Sequence, residues 1–131
     1  MRTLALDVAD GDYALVRLPA DAAVPAGLLD RAGPGLVSVT RTAGELSIVC
    51  PAALVPDGAE SEAGWRALIV RGPMAFTLTG IIAALASELA AAGVALFSLS
   101  TFDTDHVLVQ DTDLARAVQA LRAAGHEVHG A

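Results

Sequence analysis

The sequence predicts an α+β chain. A ferredoxin-like βαββαβ half, residues 65–131, is expected to pack against a degenerate half of the same kind, residues 1–56. Three observations carry this expectation. From Trp65 to His129 the apolar pattern switches between alternation and helical spacing in the order strand, helix, strand, strand, helix, strand, which is the ferredoxin-like order. Ahead of it the pattern reads strand, strand, short helix, hairpin, with no second helix. Between the two, residues 57–64 (DGAESEAG) are acidic and glycine-flanked and read as a linker. A unit of about 65 residues buries only about 60% of its unfolded surface, so the halves are expected to share a core.

In the first half, Thr3–Ala9 and Asp12–Leu18 read as strands around Gly11. In the second of these, Tyr13, Leu15 and Arg17 share one face, and Ala14, Val16 and Leu18 share the other. Pro19 ends it. Pro25 is placed to start a short helix running to Ala32, and Gly33-Pro34-Gly35 stops that helix. Leu36–Thr42 and Glu45–Cys50 form a hairpin around Ala43-Gly44. Residues 51–56 add a short irregular or helical turn.

In the second half, Trp65–Val70 is a strand and residues 72–79 are a loop. Gly80–Ala92 is a helix with Ile82, Leu85, Leu89 and Ala92 on one face, closed by Gly93. Val94–Ser100 and His106–Gln110 are strands joined by the turn Phe102–Asp105. Asp111 or Thr112 caps the next helix, whose apolar stripe is Leu114, Val118 and Leu121; Arg122 suits its last turn. His126–His129 is a final short strand.

The chain has 131 residues, of which 54% are hydrophobic and only 4% aromatic, so the core must be built from Ala, Val, Leu and Ile. The net charge is -7 with no basic run. A nucleic-acid binder replaces phosphate counterions with a basic face, so that class is excluded. The single cysteine, Cys50, cannot form an internal disulfide, and is expected as a buried thiol. Acidic residues at Asp7, Asp10 and Asp12 interrupt any secretory pattern, and a cytoplasmic location is expected. Between Arg71 and Asp103 only Glu88 is charged, but Gly80 and Gly93 bracket a helix of about 13 residues, short of the about 20 that span a bilayer. No membrane partner is expected.

The helix start at Gly80 and the polar cluster Ser100–Asp105 have the layout of a binding site. An α-amino acid needs a place for an anion and a place for a cation a few ångströms apart. Free N–H groups at a helix N-terminus suit a carboxylate, and Gly80 lets a ligand approach the backbone. Asp103 or Asp105 can pair with an ammonium group, and Phe102 can supply an apolar wall. Thr79, Ser100 and Thr101 can hydrogen-bond. The same residues also fit a plain structural reading, with Thr79 as a helix N-cap, Ser100–Asp105 as a hairpin turn and Phe102 as core. His126 and His129 point to opposite faces of a strand and make a poor metal set with His106. Asp103 and Asp105 lack further oxygen ligands for a hard cation. No phosphate loop or nucleophile elbow is present, and the chain has no asparagine for an acylphosphatase-type pair. No enzyme and no cofactor are expected.

The stretch GPMAFTLTGIIAALASELAAAGVALFSLSTFDTDHVLV resembles the ACT domain. The resemblance lies in Gly80-Ile81 at the helix start, in Leu89-Ala90-Ala91-Ala92-Gly93-Val94 at its end, and in Leu99-Ser100-Thr101 closing the next strand. The continuation Thr101–Val109 is similar to the branch containing the tandem ACT domains of aspartate kinases and of the eukaryotic cytosolic arginine sensors. The resemblance implies a non-enzymatic regulatory or allosteric sensor module that binds an amino acid at an interface between two ACT units. It also implies a homodimer or other homo-oligomer and a separate regulated protein. Carried over by position, Gly80 and Ile81 offer backbone groups, and Thr101, Phe102 and Asp105 line the site. Thr77-Leu78-Thr79 departs from the acidic or amide residue common before the glycine. The alternative is an ACT-like oligomerisation or partner-binding module without a ligand.

Overall fold

The computed structural model describes residues 3–72 and 80–131. It divides into two compact units. Gly11–Trp65 form one, and the described residues up to Asp10 and from Arg66 onward form the other. Strand β5 (Glu60–Val70) contributes its first part to the former and its last part to the latter.

The larger unit contains β1 (Ala5–Val8), the end of β5, α2 (Ile81–Ala91), β6 (Leu96–Ser100), β7 (Asp105–Gln110), α3 (Leu114–Ala123) and β8 (Glu127–His129). Its strand order is β6-β7-β5-β1-β8. From β5 onward this is the expected βαββαβ order, with one addition. Strand β1 lies between the first and last strands, which are neighbours in the plain arrangement. It pairs antiparallel with β5 (Leu6 opposite Val70) and parallel with β8 (Leu6 opposite Val128). Residues 3–10 therefore do not belong with the rest of the 1–56 half proposed from element order. Alternation explains why: Leu4, Leu6 and Val8 point into the same core as Leu68, Val70 and Val128.

Both helices cover that core. α2 presents Ile81, Leu85 and Leu89, spaced by four, and α3 presents Ala117, Val118 and Leu121. The buried row of α2 begins at Ile81; Ile82 and Ala92, expected on the stripe, are only partly buried beside it. The end of α2 is closed by Gly93 N–H donating to the Ala90 carbonyl and Val94 N–H to that of Leu89. The start of α3 differs from expectation. Residues Asp111–Asp113 form a 3-10 turn, the N-cap is Asp113, and no side chain caps the helix. The carboxylates are drawn to arginines instead: Asp111 pairs with Arg66 at 3.2 Å and Asp113 with Arg116 at 2.8 Å.

The smaller unit contains β2 (Tyr13–Leu18), α1 (Leu28–Arg31), β3 (Ser38–Arg41), β4 (Leu46–Pro51), a 3-10 turn (Ala52–Leu54) and the start of β5. Its order is β3-β4-β2-β5, the ferredoxin-like order with the second helix reduced to the 3-10 turn. Ala14, Val16, Leu28, Leu46, Ile48 and Cys50 form its core, and burial pushes the Cys50 thiol above its ordinary pKa.

The polar stretch read as a linker, residues 57–64, is a strand from Glu60 onward. Leu15 pairs with Glu62, Val16 with Ser61 and Arg17 with Glu60. Backbone pairing wins over composition because the side chains of Glu60, Ser61, Glu62 and Ala63 stay exposed. The register shifts by one residue between Tyr13–Trp65 and Leu15–Glu62, and Gly64 takes φ 85° at this bulge, a conformation open to glycine. Among the described residues, no helix is long and apolar enough to cross a membrane.

Candidate functional site

Strands β6 and β7 pair in register to Ser100 opposite Asp105, and the chain turns through Thr101–Thr104. The turn closes on itself. Thr101 N–H donates to the Thr104 carbonyl at 2.8 Å, and Thr104 N–H donates to Thr101 Oγ1 at 3.3 Å. Ser100 Oγ donates to Asp105 Oδ1 at 2.5 Å. These are the local bonds for which Ser, Thr and Asp are favoured in turns. The turn is also tied to the sheet, because the Thr104 hydroxyl donates to the Val70 carbonyl at the end of β5.

Val70 is where the chain leaves β5 on its way to α2. Gly80 is the N-cap of α2, with φ 77° and no side-chain capping bond, and its carbonyl accepts from Ala84 N–H at 2.8 Å. The first-turn N–H groups beyond it have no intrahelical acceptor and form the positive end of the helix dipole. No acidic residue occupies that first turn. Among the described residues, a Cβ at Gly80 would meet no atom within 4 Å, so backbone conformation is what favours glycine there.

The expected site residues thus fall into two groups. Ser100, Thr101 and Asp105 are joined by the turn, with Asp105 half-buried and its Oδ2 left without a described donor. Phe102 is 80% exposed at the tip of the turn, which rules out its reading as core. Gly80 and Ile81 form the second group. Ile81 buries its side chain in the core and has only backbone to offer a ligand. No hydrogen bond among the described residues joins the two groups. Thr79, Thr77 and Leu78 lie outside the described residues.

Sequence reasoning missed four features of this unit. Thr104 is the anchor of the turn, a role that no pattern of alternation marks. Arg71, directly after Val70, donates twice to Asp7 at 2.8 Å, and that bond holds the Asp7 carboxyl below its usual range. His126, just before β8, is buried: its Nδ1 accepts from Leu4 N–H at 3.1 Å, while its Nε2 has no partner. His106, next to Asp105, is likewise buried with Nδ1 unpartnered, and burial lowers its pKa against a smaller opposing effect of the Asp105 charge. Among the described residues, no group of three His, Cys, Asp or Glu side chains is placed to hold a metal ion.

The ACT domain model matches residues 60–123, beginning at the first residue of β5, and a second model, described as an N-terminal domain, matches residues 11–58. Over 59 residues the chain is 36% identical to the human cytosolic arginine sensor for mTORC1 subunit 1, a stretch that makes up 44% of this chain and 18% of that protein. The chain therefore spans less than a fifth of the curated relatives it matches. The crystal structure of protein Atu0741 from Agobacterium tumefaciens is 39% identical, covers 98% of this chain and 93% of its own, and superposes with a TM-score of 0.88. The ligand-free regulatory subunit of aspartate kinase from Thermus thermophilus covers 92% of this chain and 94% of its own at 11% identity and a TM-score of 0.60, a likeness of fold.

Proposed function

The chain belongs to the ACT-domain family, and from that premise we propose that it is a non-enzymatic regulatory or sensor module that binds an amino acid and acts on a separate protein. The site is the start of α2 together with the β6–β7 turn. The ligand carboxylate takes the free N–H groups at Gly80 and Ile81, and Thr79, the preceding residue in sequence, is a further candidate hydrogen-bonding residue. Its ammonium group takes Asp105, while Ser100 and Thr101 hydrogen-bond and Phe102 covers the apolar part. The observation that carries this reading is the anchoring of the turn. Thr104 holds it to the Val70 carbonyl, and Ser100 fixes Asp105 with one carboxylate oxygen still open. A charged acceptor held in this way loses little freedom on binding, and a hydrogen bond to a charged group contributes about 1.5–3 kcal/mol.

The unit Gly11–Trp65 is a degenerate ACT-like half, supported by its β3-β4-β2-β5 order. The module works in the cytoplasm as a homo-oligomer. Among the described residues, strand β6 pairs only with β7, which leaves a backbone edge that a second copy can extend. A panel of common amino acids, each at millimolar concentration, tests the reading by thermal shift. At least one should raise the melting temperature, and Asp105→Ala should remove that rise while leaving the unliganded melting temperature nearly unchanged.

A second reading has its own support. The Thr101 hydroxyl is satisfied within the turn by the Thr104 backbone, as in a turn without a ligand. In that case the chain is an oligomerisation or partner-binding module, and no amino acid shifts the transition.

A further inference from the structure

The smaller unit holds a cleft that the site above does not use. Where the ferredoxin-like order calls for a second helix, only the 3-10 turn Ala52–Leu54 is present. A cavity of about 270 Å³ remains beside α1, and Arg31, Leu54, Val55, Pro56 and Asp57 are among its lining residues. This is below the range of about 300–1,000 Å³ typical of drug-sized ligands and suits a molecule of amino-acid size.

Its arginine stands apart from the other described arginines. Among the described residues, Arg31 is the one arginine without a hydrogen bond or ion pair. Arg17 pairs with Glu60, Arg66 with Asp111, Arg71 with Asp7 and Arg116 with Asp113; Arg41 and Arg122 donate to backbone carbonyls. Asp57, on the same cleft, also has no described partner, and no ion pair joins the two. The stem of Arg31 is seated against the backbone of Gly27, where a Cβ would approach Arg31 Cδ to 3.5 Å. One cleft therefore offers an open guanidinium, an open carboxylate and an apolar wall of Leu54, Val55 and Pro56.

We propose that this cleft is a second binding site, for a small zwitterion carrying one carboxylate and one ammonium group. The guanidinium fork of Arg31 takes the carboxylate, Asp57 takes the ammonium, and the apolar part of the ligand lies on Leu54 and Val55. A simple anion such as phosphate fits less well, because Asp57 repels it. The proposal stands independently of the site at Gly80 and Asp105.

The test is an NMR titration of the full ¹⁵N-labelled chain with each common amino acid in turn, and with inorganic phosphate for comparison. At least one amino acid should shift the Arg31 Nε–H and the Leu54 and Val55 amides to saturation. Arg31→Gln and Asp57→Asn should each weaken that response about tenfold or more, the loss of one charged contact. Asp105→Ala should leave it unchanged. The proposal is overturned if no amino acid gives a saturable shift of these resonances. It is equally overturned if the shifts survive both cleft variants, disappear in Asp105→Ala, or are matched by phosphate at equal affinity.

Discussion

Ser100 Oγ donates to Asp105 Oδ1 at 2.5 Å across the last register pair of β6 and β7. The bond fixes the carboxylate that the proposed site needs and leaves its other oxygen open. Being exposed, it adds little to stability, as exposed polar pairs typically contribute about 0–1 kcal/mol. Ser100→Ala should therefore leave the urea midpoint almost unmoved, yet weaken any amino-acid ligand severalfold because Asp105 is no longer held. An unchanged affinity would mean that Ser100 serves only the turn.

Strand β1 should matter to the fold as a central strand does. Leu6 is fully buried between β5 and β8. Leu6→Ala should cost about 2–5 kcal/mol, as large-to-small core substitutions do. Urea denaturation followed by circular dichroism measures it. A cost near zero would show that β1 is a loosely attached terminal strand.

Gly80→Ala separates conformation from crowding. No described residue crowds a Cβ at Gly80, but its φ of 77° is left-handed. Alanine there should cost about 1–2 kcal/mol from backbone strain alone. It should also displace the first-turn N–H groups, so ligand affinity falls along with stability.

His106 makes stability depend on pH. It is 9% exposed, and burial lowers its folded pKa below the ordinary 6.5. The unfolded chain then binds the proton more tightly than the folded one. The stability associated with neutral His106 is fully present above about pH 6.5 and declines as pH falls from there toward the lowered folded value. Denaturation midpoints measured across this range should fall on acidification. His106→Phe should flatten the part of the slope that His106 causes; an unaltered slope would assign it to other groups.

The elements were largely legible in the sequence, but their partners were less so. Leu85 and Leu89, or Ala14 and Val16, announce a helix face and a strand face by spacing alone. Alternation at Leu4, Leu6 and Val8 likewise says strand, but not that the strand lies between β5 and β8, because period two carries no information about neighbours. The stretch DGAESEAG misled because composition reports side chains, whereas β5 is held there by backbone pairing with β2. At the candidate site, the turn chemistry of Ser100, Thr101 and Asp105 was readable. The anchoring bond from Thr104 to Val70 was not, since it joins residues 34 apart in sequence.

The central claim, that an amino acid binds at the start of α2 and the β6–β7 turn, is tested most directly by isothermal titration calorimetry of the full chain. Each common amino acid would be titrated into the natural protein and into Asp105→Ala. The account predicts saturable binding of at least one amino acid to the natural protein, and a loss of about tenfold or more in the variant. Equal affinity in both proteins, or no binding to the natural chain, would contradict it.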